Sequence, residues 1–164
     1  MTKISDVIRL MFEEEETTYE MEEFPEERGA KFGAQFQGEH VNLKLRGWID
    51  EQQLEIYTHY PNTVPDSKKL AVVESMTRIN ATIWFGSFEM DFLNGTIYVR
   101  TNIPLVDGLP STNLVKTVLY KNLYIADEFY PLLMKVIYGS MTPEEAMLDL
   151  SLAKRPVDES SVIC

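Results

Sequence analysis

Residues 31–59, KFGAQFQGEHVNLKLRGWIDEQQLEIYTH, decide the fold that we expect for this chain. Apolar and polar side chains alternate along three short runs, which are separated at Gly38 and at Asp50-Glu51-Gln52 by residues typical of tight turns. Successive side chains of a strand point to opposite faces, so this alternation predicts strands that bury one face and expose the other. The stretch therefore predicts a three-stranded antiparallel meander.

A second pair of strands is predicted in residues 83–101. Two alternating runs, 83–93 and 96–101, flank Asn94-Gly95, and Asn-Gly between such runs is a strong hairpin signal because both residues tolerate positive φ. Together with the meander, this pair makes a five-stranded antiparallel sheet. Its buried face is expected to consist of Phe32, Phe36, Leu43, Leu45, Leu54, Ile56, Trp84, Phe88, Ile97 and Val99.

The segments around the strands are predicted to be helices. Apolar residues recur at helical spacing in residues 4–15 and 68–81, which predicts an amphipathic helix on each side of the meander. In the second of these, the apolar positions are three residues apart: Leu70, Val73, Met76 and Ile79. A long helix follows from about Ser111, and Pro131 within it predicts a kink or a break because proline removes one backbone hydrogen bond. Thr142-Pro143 has the residue types that begin a helix, so a short final helix is expected.

The order of these elements is helix, three strands, helix, two strands, long helix and short helix, which favours an α+β fold. We expect one domain over residues 1–153. Residues 154–164 are polar and are expected to be a disordered C-terminal tail. The polar stretch 17–28 predicts an extended connection, and Pro61 and Pro65 predict the end of the third strand.

The composition narrows the class of protein. The chain has 164 residues and a net charge of -11, which argues against a nucleic-acid partner because binding to phosphates needs clustered lysine and arginine. The single cysteine, Cys164, permits no internal disulfide and no multi-cysteine metal site. No run of about 18 apolar residues predicts a membrane span, and no basic start followed by an apolar run predicts a secretion signal. We therefore expect a cytoplasmic protein that does not bind membranes.

Most of the negative charge lies near the N-terminus. Residues 1–27 contain ten acidic and two basic residues, whereas the other 137 residues contain sixteen acidic and thirteen basic ones. Charge runs are usually solvated, so the acid-rich segment 13–27 is expected to be a soluble helix end and linker. The alternative interpretation is an acidic contact surface, or a mimic of an acidic partner.

The residue types that carry catalysis are sparse. The only two histidines, His40 and His59, lie in a predicted turn and at a strand end and are expected to be exposed. Neither has the spacing of a metal site, and no glycine-rich loop precedes a helix to bind phosphate. Glu89 and Asp91 share one face of a strand, but such pairs are usually solvated. We assign no catalytic, metal-binding or cofactor-binding residue and expect no cofactor; a small enzyme or metabolite-binding domain that uses surface carboxylates is the alternative.

The face of the sheet opposite the core has an unusual composition. Alternation places eleven residues there: Lys31, Lys44, Arg46, Trp48, Glu55, Tyr57, Phe85, Glu89, Asp91, Tyr98 and Arg100. Aromatic residues and arginine are enriched at protein–protein interfaces, so this composition predicts a surface that a partner segment or a second subunit covers. The candidate contact residues are Arg46, Trp48, Tyr57, Phe85, Tyr98 and Arg100. Two other interpretations stay open: the long helix folds over this face, or aromatic pairs across strands only stabilise the sheet.

Several short motifs, taken in order, resemble the YbjN family. They are Pro65-Asp66-Ser67-Lys68-Lys69, Arg78-Ile79-Asn80, Gly86-Ser87-Phe88-Glu89-Met90-Asp91, Asn94-Gly95, Tyr98-Val99-Arg100, Asp127-Glu128-Phe129-Tyr130-Pro131 and Gly139-Ser140-Met141-Thr142-Pro143-Glu144-Glu145-Ala146. The resemblance covers roughly residues 30–150. The acid-rich segment 13–27 and the chain after Ala153 depart from the family pattern.

The resemblance implies a fold similar to that of the class I type III secretion chaperones. The family is described as sensory transduction regulators, so the resemblance also implies a bacterial, cytosolic protein without enzymatic activity that forms a homodimer and acts through other proteins. The expected partner is a protein of unknown identity. The protein would act either as a chaperone-like holder of an unstructured segment or as a regulator of a signalling partner.

Overall fold

In the computed structural model, which describes residues 3–154, a six-stranded antiparallel sheet carries helices on one face. The elements in chain order are α1 (Ile4–Glu14), β1 (Tyr19–Phe24), β2 (Gly29–Gln37), β3 (Asn42–Ile49), β4 (Gln53–Thr63), α2 (Lys69–Asn80), β5 (Ser87–Asp91), β6 (Thr96–Pro104), α3 (Thr112–Ile137) and α4 (Pro143–Ala153). Short 3-10 turns precede β2 and α2. The strands lie side by side in the order β1-β2-β3-β4-β6-β5. The predicted α+β fold with an antiparallel sheet is confirmed.

The four helices of the described chain lie on the same side of the sheet. α3 packs on β3, β4 and β6, α2 packs on β5, and α1 packs along α3. Strand residues that face the helices are buried, as in β3, where Leu43, Leu45 and Ile49 are at most 3% exposed. Burying side chains of this size stabilises the fold by about 1.5–3 kcal/mol each. Since α3 lies on this side, the interpretation in which the long helix covers the polar face is wrong.

The sheet has six strands rather than the predicted five, because residues 19–24 pair with β2. On this extra strand, β1, Tyr19 and Met21 pack against the core, whereas Glu20 and Glu22 point to the other side and are exposed. The side chains alternate with the usual period of two, but the surrounding acidic residues hide that pattern in the sequence. The predicted extended connection at 17–28 is therefore wrong.

The third strand of the meander, β4, is longer than predicted. It continues through Pro61 to Thr63, with a shift of register between His59 and Thr63. Proline cannot donate a hydrogen bond to a neighbouring strand and is tolerated where pairing is irregular. Pro61 therefore does not end the strand.

β5 begins at Ser87 rather than at residue 83. Gly86 has a φ of 72°, which lies outside the strand region and stops the extended conformation there. Trp84 precedes this point and is fully exposed, so its assignment to the buried face is wrong. Of the other nine predicted face residues, Phe36 is half-buried against the core and the remaining eight are buried.

α2 buries a different stripe from the predicted one. Val72, Met76 and Ile79 face the core, whereas Leu70 is 77% exposed. A strict spacing of three drifts around a helix that has 3.6 residues per turn. Leu70, the first residue of the predicted stripe, therefore faces solvent, whereas Val73 is partly buried against the core.

The sequence predicts a kink or a break at Pro131. α3 runs without a break through Pro131, so the break is wrong and the kink stays a prediction. The neighbouring residues Phe129, Leu132 and Leu133 are all buried, and their packing outweighs the roughly 3 kcal/mol that an interior proline costs. The predicted helix starts are confirmed, since Ser111 caps α3 and Thr142 caps α4.

The chain beyond α4 falls largely outside the described residues. Apart from Lys154, the predicted disordered tail at 154–164 belongs to the part that the structure does not describe. None of the helices within residues 3–154 combines the length and the apolar character that a bilayer crossing requires.

Candidate protein-binding face

The candidate site is the side of the sheet that no described helix covers, which we call the open face. Alternation along the strands places on it the side chains of Glu20, Glu22, Phe24, Lys31, Lys44, Arg46, Trp48, Glu55, Tyr57, His59, Glu89, Asp91, Tyr98 and Arg100. The registers align these side chains in rows across the strands. In the central row, Arg46 lies opposite Tyr57, which in turn lies opposite Arg100.

The next row places His59 between Lys44 and Tyr98. The His59 ring lies 5.5 Å from the ring of Tyr98 and 6.3 Å from that of Tyr57, and the two tyrosine rings lie 5.6 Å apart edge to face. Aromatic pairs at these separations contribute about 0.5–1.5 kcal/mol each beyond their burial. Because two rings contact it, His59 is half-buried rather than exposed as predicted.

A second aromatic pair lies near the β1 edge of the open face. The rings of Phe24 and Trp48 are stacked with their centroids 5.8 Å apart, and the Lys31 ammonium lies 5.1 Å from the Phe24 ring. Lys31 also forms an ion pair with Glu22 at 2.7 Å. Phe24 was missed as a site residue because β1 was missed; once β1 is paired with β2, the alternation locates it.

A groove of about 640 Å³ runs between the two aromatic groups. Gly33 lies at its floor, where the missing side chain leaves space between Glu20 on β1 and Arg46 on β3. A Cβ atom built on Gly33 would meet only the backbone oxygen of Leu45, at 3.5 Å. The fold therefore does not require glycine here, and its effect is to keep the groove open.

Five of the six predicted contact residues lie on the open face, and Phe85 does not. Phe85 lies in the loop before β5, where it packs against the core and has the Lys121 ammonium 5.6 Å from its ring centroid. Because Gly86 interrupts the extended conformation, the alternation of β5 cannot be continued back to Phe85. The placement of Phe85 on this face is wrong.

The cations of the open face differ in their surroundings. Arg100 forms an ion pair with Glu89 at 2.8 Å and lies 3.8 Å from Glu55. Lys44 and Arg46, by contrast, form no ion pair with any residue of the described range 3–154. The middle of the face therefore carries two positive charges that no carboxylate of the described chain neutralises by direct contact.

Burial and neighbouring charged groups set the protonation of His59 and Tyr57. Burial lowers the pKa of His59 below its usual 6.5, and the positive charges of Arg46 and Lys44 lower it further, so His59 is neutral at pH 7. Burial, followed by the hydrogen bond to Glu55, raises the pKa of Tyr57. The Tyr57 hydroxyl therefore stays protonated and donates a hydrogen bond to the Glu55 carboxylate at 2.8 Å.

The two carboxylates singled out in the sequence have structural partners. Glu89 binds Arg100, and Asp91 accepts hydrogen bonds from the N–H groups of Leu93 and Asn94, which shapes the turn between β5 and β6. In the part of the chain that the structure describes, no group of three or more His, Cys, Asp or Glu residues could hold a metal ion. What the open face offers is noncovalent contact through aromatic rings, hydrogen bonds and two cations that pair with no carboxylate of residues 3–154.

A likeness to a solved structure agrees with the fold. The crystal structure of YbjN from E. coli, described as "a putative transcription regulator", aligns over 84% of this chain and 93% of its own chain, with a TM-score of 0.50 and 12% sequence identity. At this identity the likeness shows the fold alone. No curated protein sequence matches the chain.

The family model that matches the chain is YbjN, described as "Putative bacterial sensory transduction regulator". It matches residues 5–134, which include the acid-rich segment 13–27 that we had expected to depart from the family pattern. The match extends over well more than half of the 164 residues. The chain therefore belongs to the YbjN family.

Proposed function

We propose that the protein is a non-enzymatic regulator that acts by binding a partner protein on its open face. The description of the family supports the regulatory part of this proposal. One observation carries the rest: a sheet face free of described helices, on which two aromatic groups flank a groove of about 640 Å³. Such a surface binds through shape and contact, without a catalytic group.

The residue types of the open face support a binding role. Trp48 is 41% exposed, although covering its exposed apolar surface would be favourable by about 25 cal/mol per Å². Tryptophan, tyrosine and arginine are the residues that most often dominate the free energy of protein–protein binding. Here Trp48, Tyr57 and Arg46 lie on adjacent strands. A partner that covers these three side chains would remove their apolar surface from water, which favours binding.

We favour a different protein over a second copy of the chain as the occupant. Lys44 and Arg46 lie on β3, near the middle of the sheet. A two-fold axis through the middle of the face would bring the same patch of two copies together, and like charges at an interface oppose binding. The predicted homodimer would then form through another surface.

A finer version of the proposal makes the protein a chaperone-like holder. In this version the partner segment is unstructured when free, and it becomes ordered on the open face. An extended segment suits a sheet face because it can lie across several strands without folding first. The resemblance to type III secretion chaperones and the cytoplasmic location belong to this version and stay predictions.

The test compares partner capture by the native chain and by two double variants. Trp48→Ala with Tyr57→Ala removes one ring from each aromatic group of the open face. Trp84→Ala with Tyr124→Ala is the matched control, since it removes two exposed rings of the same types elsewhere. We expect the first variant to bind the partner at least 2 kcal/mol more weakly, about thirtyfold in Kd, and the control to bind normally. Captured proteins are quantified by mass spectrometry, and Kd is then measured by calorimetry.

Two results would contradict the proposal. Equal capture by the native chain and by the folded Trp48→Ala, Tyr57→Ala variant would show that the open face is not the binding surface. A rise of several degrees in melting temperature with a metal ion, a nucleotide or a metabolite would favour the enzyme or metabolite-binding alternative, because a ligand that binds only the folded state stabilises it.

A further inference from the structure

Two cations near the middle of the open face lack a carboxylate partner within residues 3–154. Lys44 and Arg46 are two residues apart on β3, so both point to the open face, and both are exposed. The chain has 26 acidic residues. In the row of Arg46, the nearest acidic residue on the β1 side is Glu20, whose backbone is two strands away, about 10 Å, and the two side chains form no ion pair in the described chain.

The groups beside these cations do not neutralise them. Glu55, diagonal to Arg46, accepts the Tyr57 hydroxyl and lies 3.8 Å from Arg100. His59, opposite Lys44, is neutral at pH 7 and adds no charge of either sign. A local positive charge therefore persists on a chain whose net charge is -11.

The dimensions of the groove point to an extended segment. The groove reaches from Glu20 and Glu22 on β1 to Tyr98 on β6, across five strands, which is about 20 Å. About six extended residues span this distance. Carboxylates along such a segment would reach Lys44 and Arg46, and an aromatic or large apolar side chain would pack beside the tyrosine rings.

A nucleic acid, the other extended polyanion, fits the groove less well. It carries a phosphate at every nucleotide, so some phosphates would approach Glu20 and Glu22 at one end of the groove, whereas a peptide can carry its carboxylates only beside the cations. Two cations are also few for a phosphate backbone, which proteins neutralise with clusters of lysine and arginine.

We propose that the open face binds an extended acidic segment of a partner protein, whose carboxylates pair with Lys44 and Arg46 and whose aromatic or large apolar side chain packs against Tyr57 and Tyr98. This inference rests on the proposed function and adds to it the chemistry of the partner. Charge complementarity favours this partner, because Lys44 and Arg46 make the centre of the open face positive on a chain with a net charge of -11.

The test selects peptides with the full-length chain from a phage-displayed library of random peptides of about 12 residues, twice the length that spans the groove. We expect the enriched peptides to be rich in Asp and Glu and to contain an aromatic or large apolar residue. A fluorescein-labelled enriched peptide should bind the Lys44→Glu, Arg46→Glu variant at least tenfold more weakly in fluorescence polarisation. Its affinity for the native chain should fall as NaCl is raised from about 50 mM to about 500 mM.

Two further variants make the test specific. Lys68→Glu with Lys121→Glu changes the net charge by the same amount away from the open face and should leave binding unchanged. Gly33→Val fills the floor of the groove without a steric clash at Cβ, so it should keep the native melting temperature and weaken peptide binding at least tenfold. Equal losses in both charge variants would mean non-specific attraction and would overturn the inference.

The remaining outcomes separate the inference from the proposed function. The selection could instead enrich neutral or basic peptides that bind the native chain but not the Trp48→Ala, Tyr57→Ala variant. That result would overturn the inference that the bound segment is acidic and would leave the proposed function intact. Enriched peptides that bind every open-face variant equally would overturn both. A selection that enriches no peptide would also count against the inference.

Discussion

A single carboxylate joins the two layers of the molecule. Asp127 on α3 accepts hydrogen bonds from the backbone N–H groups of Glu39, His40 and Val41, at 3.0, 3.0 and 3.2 Å. These groups belong to the turn between β2 and β3, the two strands that carry the floor and the cations of the open face. Gly38 leaves room for the carboxylate, because a Cβ atom there would lie 2.0 Å from it. Asp127 thus holds the site in place from the opposite side of the sheet.

We expect Asp127→Ala to lower the free energy of unfolding by about 2–3 kcal/mol, because it removes a charged acceptor that serves three backbone donors. Glu128→Ala is the control, since its ion pair with Lys154 lies at the surface, where such pairs are worth at most about 1 kcal/mol. Urea denaturation measures both variants. An equal loss of stability in the two variants would show that Asp127 does not anchor the turn.

At the scale of the elements, both edges of the sheet are protected against the addition of another strand. β1 presents acidic side chains along one edge. At the other edge, the Asn80 side chain donates to the carbonyl of Phe88 and accepts from its N–H group, at 3.1 and 2.8 Å, as a further strand would. Edges that are charged or already bonded discourage the addition of another strand.

The docking of α1 on α3 gives a prediction with a defined pH dependence. Glu15, just after α1, accepts hydrogen bonds from Lys116 and from the Tyr120 hydroxyl, and these bonds lower the pKa of Glu15 below its usual 4.5. A carboxyl group whose pKa is lower in the folded state than in the unfolded state stabilises the fold at pH values above its unfolded-state pKa. This stabilisation is lost as the pH falls through the folded-state pKa. Glu15→Gln should therefore lower the melting temperature at pH 7. The difference should shrink as the pH falls below 4.5 and should vanish at a low pH at which Glu15 is protonated in the folded chain.

Glu14→Gln is the matched control for this prediction, because Glu14 is exposed and should be insensitive at both pH values. Melting temperatures at the two pH values measure the difference between each variant and the native chain. A deficit of Glu15→Gln that persists at low pH would mean that the carboxylate charge is not what joins the helices.

At the scale of the whole molecule, local sequence patterns predicted where most strands lie better than they predicted what packs against the sheet. The meander was predictable because burial on one side alone produces strict alternation. β1 was missed because acidic residues flank it, and Phe85 was misplaced because the conformation of Gly86 does not follow from alternation. Which side of the sheet α3 covers depends on contacts between distant residues. The sequence pattern could therefore locate most of the open face without showing that the described helices leave it uncovered.

The central claim is that the open face is the binding surface, and the two tryptophans of the chain test it directly. Trp84→Phe leaves Trp48 on the open face as the only tryptophan, whereas Trp48→Phe leaves Trp84 in the loop before β5. Each variant is titrated with the partner or peptide that binds the native chain, in a tryptophan-free form, while emission and acrylamide quenching are recorded. We predict that Trp48 emission moves to shorter wavelength and that Trp48 is shielded from acrylamide, with Trp84 unaffected. Binding that shields Trp84 and leaves Trp48 unchanged would contradict the claim.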